Sequence, residues 1–598
     1  MSAVFGGLAG GLMSIHKRLV ILLVTLLPSL VILCAGCGRE RTEDASFERL
    51  SKEFLKAYLR AHPSDATCIG EHRYDHELED MSRAAIDAEL ASCTSYLERL
   101  EGVDETKLSR DNRIDAEILK NAIRFEMLEA EDLRSSETDP MLYTSFLGNS
   151  IYYLLARDFA PLGTRLDAAA DRLAKFPAAI EQAMKNLSNP PKIRTETAIS
   201  QNRGLMALIK NDLLEEDAKA PVASKKLDKA AGTALEALER FQDFLEKDLL
   251  NRSLGEIRLG DPVYRRLVAC MLQTDRTPEE VIASAYGEID RVHDDMYELA
   301  APLYERMTGA KPPVNPPRAD RLRIVKAVLD ETSKDHPKPL EILDACKAAF
   351  AEASAFVREK GILTIPTEPF EIIEAPEYSR GPSIAGLQAP GPLDRDLKYY
   401  FYVSPIAEGL DREETESYLR EYNNDMIRLV TIHEAMPGHY VQLAYGNRNP
   451  SIVRGVWRND AFSEGWAVYC MELMTSLGFH GGDPELRLQW EKFYLRAITN
   501  AIIDSGLHRE GMTEKEAVKL LTEDAFQEEP EALLKWRRAG LTPGYLSTYF
   551  VGYEEMLALR REAEERAGNG FVLKDFHEKL LSQGALPPRL AREALFGE

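Results

Sequence analysis

Apolar residues recur every three to four positions over long stretches of this chain, with charged residues filling the places between. Phe47, Leu50, Phe54, Leu55 and Tyr58 form one such stripe. The same period continues to about Leu299 through segments rich in Ala, Leu, Glu, Lys and Arg, which predicts a succession of helices packed by one face each. Turn residues interrupt the pattern at Ser188-Asn189-Pro190-Pro191 and across Lys311 to Pro317, and the second break is the better candidate for a boundary. Between Gly361 and Pro405 the period shortens. Phe370 to Ile373 and Tyr399 to Val403 carry aromatic and β-branched residues between Pro and Gly, and they predict short strands. Helical periodicity resumes at Glu413. One helix is expected to end near His433, one to span about Asp460 to Ser476, and one to run from about Pro484 to Ser505. Thr513 and Glu516 have the spacing of a capping box. The pattern predicts a mainly α fold with a small sheet.

Composition narrows this picture. The chain has 598 residues, 44% hydrophobic and 29% charged, as in ordinary globular proteins. Its 98 acidic against 74 basic residues give a formal charge of -24, which argues against nucleic acid as a partner. The one strongly apolar run, Leu19 to Leu33 after Lys17 and Arg18, has the length of a signal-peptide core and is short for a spanning helix. It leads into Cys34-Ala35-Gly36-Cys37, which resembles a bacterial lipobox. The expected organisation is therefore a signal peptide over residues 1–36 and a lipid anchor on Cys37, with Gly38 leaning towards the outer membrane, facing the periplasm. A helical region at 37–310 and a site-bearing region at 320–598 would follow. The membrane would be met only through that anchor. Five further cysteines, Cys68, Cys93, Cys270, Cys346 and Cys470, are too few for a disulfide scaffold, although Cys68 and Cys93 could pair.

The chemistry concentrates in His433-Glu434-Ala435-Met436-Pro437-Gly438-His439. Zinc in hydrolytic sites takes three His or carboxylate ligands and keeps one position for water, whose proton a nearby carboxylate accepts. Glu434 directly follows His433, the order in which a general base follows a first ligand. His439 is the natural second ligand, but six residues of unbroken helix would set it about 120° away from His433. Pro437 and Gly438 are the residues able to break the helix between them. The third ligand is expected to be Glu464, in the otherwise apolar Asp460 to Tyr469 segment, where an ionised carboxylate needs a partner. Glu472 is the alternative ligand, and Asp460 either orients a ligand or caps the helix. Tyr549 or His508 is expected to donate to a developing oxyanion. Tyr402 is expected on an edge strand able to pair with an extended peptide.

The motif, with Tyr440-Val441-Gln442 after it, Ser463 to Tyr469, and the His508 and Tyr549 segments together resemble a bacterial family carrying HExxPGH, known mainly as a domain of unknown function. That family is similar to the gluzincin metallopeptidases, in outline to thimet-type oligopeptidases and carboxypeptidase Taq. The resemblance runs from near Phe47 to the C-terminus, with its specific motifs in the second half. It implies a helical fold with a deep cleft and one Zn2+ on His433, His439 and Glu464, with Glu434 as base. Where many relatives carry Gln after a Pro-Gly pair, this chain has Tyr545, a position expected to influence substrate choice. The expected activity is hydrolysis of short peptides outside the cytoplasm. The alternatives are a zinc amidohydrolase acting on a non-peptide or cell-wall amide, and a non-catalytic, metal-stabilised envelope binding protein.

Overall fold

Helices form wherever the apolar period is long enough. The computed structural model describes residues 43–219, 225–376, 384–406 and 409–597, so the signal segment and Cys37 lie outside the described residues. The first stripe lies on a helix spanning 43–61 (α1), with Phe47, Leu50 and Phe54 buried. Arg110–Leu128 (α2) adds Ile114 and Leu119 to the same core. A separate core is built from Pro140–Ala156 (α3), Lys192–Ala207 (α4) and Lys225–Phe244 (α5), through Leu147, Ile151, Leu205, Leu238 and Phe241.

The core does not divide at residues 310–320. Pro278–Thr308 (α6) precedes the proline-rich run, yet its Val292 and Met296 share one hydrophobic cluster with Leu429, Trp466 and Ile498 far downstream. The proline run is a largely exposed link. The segment that packs by itself lies inside the expected N-terminal region, between Tyr143 and Leu249. Prolines mark a turn, but they carry no information about which apolar faces meet.

Three strands, Phe370–Glu374 (β1), Ala385–Gln388 (β2) and Tyr399–Val403 (β3), form one sheet in the order β1-β3-β2. β1 is parallel to β3, with Ile373 opposite Tyr402, and β2 is antiparallel to it, with Gly386 opposite Tyr402. Tyr402 therefore does not lie on an edge strand as expected. Both backbone edges of β3 are used by neighbours, which leaves no room for strand addition there. Four of its five side chains are buried, consistent with an aromatic run in the middle of a sheet. β2 is short and contains Gly386, so it lacks the pattern of a strand.

The helix expected to start at Glu413 is two helices, Arg412–Glu421 and Asn424–Glu434 (α7). Asn423 separates them, its side chain accepting from the backbone N–H groups of Asp425 and Met426 at 3.1 and 3.0 Å. His439–Gly446 (α8), Asp460–Ser476 (α9), Pro484–Ser505 (α10), Glu529–Leu541 (α11) and Ser547–Ala567 (α12) follow. Thr513 and Glu516 form the expected capping box. The five described cysteines are free thiols, so Cys68 and Cys93 are not bridged. Among the described residues, no helix is long and apolar enough to cross a membrane.

α9 and α12 cross in backbone contact. A Cβ on Gly552 would lie 1.9 Å from the Ala461 carbonyl oxygen, and one on Gly465 would lie 2.3 Å from the Gly552 carbonyl carbon. Only two glycines permit this approach, and it brings Glu464 against the start of α12. Gly552→Ala should lower stability by about 3 kcal/mol through overpacking. Gly148→Ala, where the added Cβ meets nothing within 4 Å, should be neutral or slightly stabilising. Calorimetric melting of both variants checks this, and equal melting temperatures would contradict the close crossing.

Candidate metal centre

The six-residue spacing between the histidines is resolved by a corner at the end of α7. Helical geometry stops after Glu434, at Ala435 (φ -124°, ψ -74°). The chain then folds back on the last turn: Ala435 and Met436 N–H both donate to Thr431 O at 3.0 and 3.1 Å, and Gly438 N–H donates to Ile432 O at 2.9 Å. The Met436–Pro437 peptide is cis. Gly438 lies so close to the helix end that a Cβ there would fall 1.9 Å from the His433 carbonyl oxygen. α8 restarts at His439, and Gln442 N–H donates to Gly438 O at 3.0 Å. The corner is held from α9, where Trp466 Nε1–H donates to Pro437 O at 3.0 Å. The two imidazoles end 4.8 Å apart, centroid to centroid, with planes at 86°.

Glu464 completes the cluster. Its Oε2 lies 3.3 Å from His433 Nε2 and 3.6 Å from His439 Nε2, and makes no well-formed hydrogen bond. Its Oε1 accepts from the Tyr545 hydroxyl at 2.7 Å. One ligand atom from each of His433, His439 and Glu464 lies within 4.8 Å of the others. Glu464 is only 7% exposed. Burial alone would push its carboxyl up, but the two imidazoles outweigh this and hold it well below its ordinary value. Burial would likewise depress His439, and the Glu464 charge reverses that effect. Two imidazole nitrogens beside one carboxylate oxygen that lacks a hydrogen-bond partner could hold a divalent ion, and these donor types fit zinc.

Tyr545 reaches Glu464 because the turn before α12 is tied down. Gly544, at φ +80°, donates its N–H to Asp504 Oδ1 at 2.9 Å, and Ser547 Oγ–H donates to Asp504 Oδ2 at 2.8 Å. Asp504 is fully buried, and burial raises its carboxyl to about 6. Tyr545 thus acts on Glu464, a placement its position in the sequence did not indicate. Tyr549, one turn on, has its ring 6.4 Å from that of His433 and accepts from Arg538 Nη2–H at 3.3 Å.

His433, Glu434 and Tyr549 line a cavity of about 420 Å3. Met141 of α3, Thr197 and Gln201 of α4, Phe493 and Asn500 of α10 and Arg538 of α11 also line it, and α11 meets α4 where Arg537 donates to Thr197 Oγ1 at 3.3 Å. Burial raises the Glu434 carboxyl, partly opposed by the two histidines.

His508 and Glu472 lie elsewhere, whereas Asp460 is not the helix cap but stands close enough to the cluster for its charge to act on His439 and Glu464. Gly506 does not end a helix: at φ -58° it continues α10 into a π turn, Gly506–Glu510, that closes at Gly511. His508 is therefore buried instead of presented in a loop. Its Nε2–H donates to Ala539 O at 2.9 Å, its ring stacks on Tyr264, and burial lowers its imidazole to about 4. It anchors α11 and does not line the cavity. Glu472 faces Arg487 at 3.9 Å in a different, charged hollow. The cap of α9 is Asn459, which accepts from Phe462 N–H at 2.9 Å, and Asp460 is the first helical residue. Arg538 and Asn500 were not singled out by the sequence. Arg538 sits in the run Lys535-Trp536-Arg537-Arg538, which reads as a solvated helix face.

Fold and cluster together define a large helical protein with a buried His-His-Glu site able to hold a divalent ion beside a cavity. The chain belongs to the DUF885 family, described as bacterial proteins of unknown function, whose pattern it matches over residues 63–595. It is similar to a solved candidate lipoprotein of unknown function from Shewanella oneidensis, at 30% identity and TM-score 0.78, covering 92% of this chain and 99% of that one. A solved candidate lipoprotein from Colwellia psychrerythraea shares the fold at 16% identity and TM-score 0.74, covering 92% and 98%. No curated protein matches the chain.

If Tyr545 orients Glu464, Tyr545→Phe should weaken zinc binding by about 10- to 100-fold, measured by chelator competition. Glu472→Gln should leave it unchanged, and the reverse ranking would move the third ligand to Glu472.

Proposed function

We propose that this protein is a zinc-dependent peptidase of gluzincin type that hydrolyses short peptides. One observation carries the reading: the two histidines that meet on Glu464 bracket a glutamate, Glu434, that lines a cavity together with His433. Bound at His433, His439 and Glu464, a zinc ion supplies Lewis acidity and lowers the pKa of water. Glu434 takes the proton of the attacking water and passes it to the amine that leaves as the C–N bond breaks. Burial favours a carboxyl able both to accept and to release that proton. Tyr549 donates to the oxygen that becomes anionic as the carbonyl turns tetrahedral. Because its oxygen already accepts from Arg538, its own hydrogen points elsewhere, and burial pushes the hydroxyl well above its ordinary value, so it stays a donor.

The size of the cavity and its closure by two separately packed parts of the chain favour short, flexible substrates over folded proteins. The lipoprotein description of the solved Shewanella oneidensis relative, with the lipobox-like run ending at Cys37, supports a place in the bacterial envelope, anchored through lipid. Glu434→Gln should retain one zinc per chain by atomic absorption while kcat on a short-peptide library falls at least ~100-fold, the lower range for loss of a general base. Undiminished turnover in that variant would refute Glu434 as the base. Zinc-loaded wild-type protein that cleaves cell-wall amides and no peptide would refute the substrate class.

A further inference from the structure

Four cations line the cavity, Arg496, Lys535, Arg537 and Arg538, and three of them are matched. Arg496 pairs with Glu421 and with Glu531. Lys535 lies 3.2 Å from Glu531, and Arg537 lies 3.8 Å from Glu196. Arg538 is different. Among the described residues it pairs with no carboxylate, and its one hydrogen bond is to the Tyr549 hydroxyl. A guanidinium offers five donors in a planar fork, so most of its capacity is unused although the residue is half-buried.

Its orientation is fixed all the same. The guanidinium carbon lies 5.2 Å from the Tyr545 ring centroid and 5.9 Å from that of Tyr549. Stacking against aromatic faces holds the plane and leaves its edge, where the N–H groups lie, for a ligand. A second unmatched group lines the same cavity: Asn500 is 3% exposed and its Oδ1 has no partner. Buried polar groups that lack partners cost free energy unless something arrives to satisfy them. An acceptor pair for Arg538 and a donor for Asn500 are what one end of a peptide provides, a carboxylate and a backbone N–H.

We propose that Arg538 receives a carboxylate of the substrate, with Asn500 accepting from a neighbouring peptide N–H, so that the enzyme selects short peptides carrying a negative charge beside the cleaved bond. This rests on the peptidase reading and gives it a substrate class. Neither cavity carboxylate competes for the arginine, since Glu434 handles the proton and Glu531 is held by Arg496 and Lys535. The charge is either the C-terminal carboxylate, which makes the enzyme a carboxypeptidase in outcome, or an acidic side chain.

Three peptides of one sequence separate these sources: a free acid with Glu next to the cleaved bond, its C-terminal amide, and the free acid with Gln replacing that Glu. With zinc-loaded wild type, removing the responsible carboxylate should raise KM and lower kcat/KM by about 10- to 100-fold, the range for a charge-assisted hydrogen bond. Loss on amidation assigns the C-terminus, and loss with Gln assigns the side chain. In Arg538→Gln that discrimination should shrink to about twofold or less, and Arg538→Lys should restore part of it as a point charge. Calorimetric titration of the same peptides into Glu434→Gln reads binding without turnover and should show the same preference. If wild type cleaves all three peptides alike and Glu434→Gln binds them alike, the role of Arg538 is overturned while the peptidase reading stands. If no peptide is cleaved yet the calorimetric preference remains, the catalytic reading fails and the carboxylate site survives.

Discussion

An ionised carboxylate cannot be placed in a helical core without compensation, and Glu464 is where that constraint falls. The cost of burying such a charge is several kcal/mol, and Oε2 meets no protein hydrogen bond. Every nearby feature serves to meet that charge. The corner at Pro437 and Gly438 turns His439 towards it, Trp466 holds the corner from the same helix, and Tyr545 satisfies its other oxygen. The glycine pair at the crossing of α9 and α12 lets Tyr545 and Tyr549 come close enough to take part. With a divalent ion bound, the same geometry would be a coordination set, so that metal binding and the stability of this core would be coupled.

The cavity follows from how the rest of the chain is folded around this cluster. His433 and Glu434 at the end of α7 line it together with residues of α3 and α4, which have their own core. A site between two separately packed bodies is enclosed enough to strengthen electrostatic interactions and still open enough to admit a ligand. The unmatched Arg538 lies in that space, linked to the same tyrosine that faces His433. The proposed metal ligands, base, oxyanion donor and substrate anchor are thus tied together through the contacts of Tyr545 and Tyr549.

Much of this was legible in the sequence, and the reasons are local. His433, Glu434, His439 and Glu464 could be named because their types and spacing are tied to chemistry, and because an interrupted helix follows directly from Pro-Gly. The bounds of α9 and α10 followed from apolar period and caps. What escaped depended on tertiary contact. β2 has too little side-chain pattern to be seen, and the central place of β3 is a matter of pairing, which aromatic content does not specify. Gly506 looks like a helix stop but keeps helical angles, so His508 is carried into the interior. Tyr545 and Asp504 act through a turn 40 residues away from one of them, and Arg538 differs from Arg537 only in what each one faces. The Pro-rich run at 311–317 looked like a boundary because chain breaks are visible in composition and shared cores are not.

X-ray absorption at the zinc edge of zinc-loaded protein addresses the central claim most directly. Two imidazoles and a carboxylate on one ion predict one zinc per chain with only nitrogen and oxygen neighbours at ~2.0–2.2 Å and the outer-shell scattering of two imidazole rings. A shell with sulfur near ~2.3 Å, or a folded protein that retains no zinc, would contradict it.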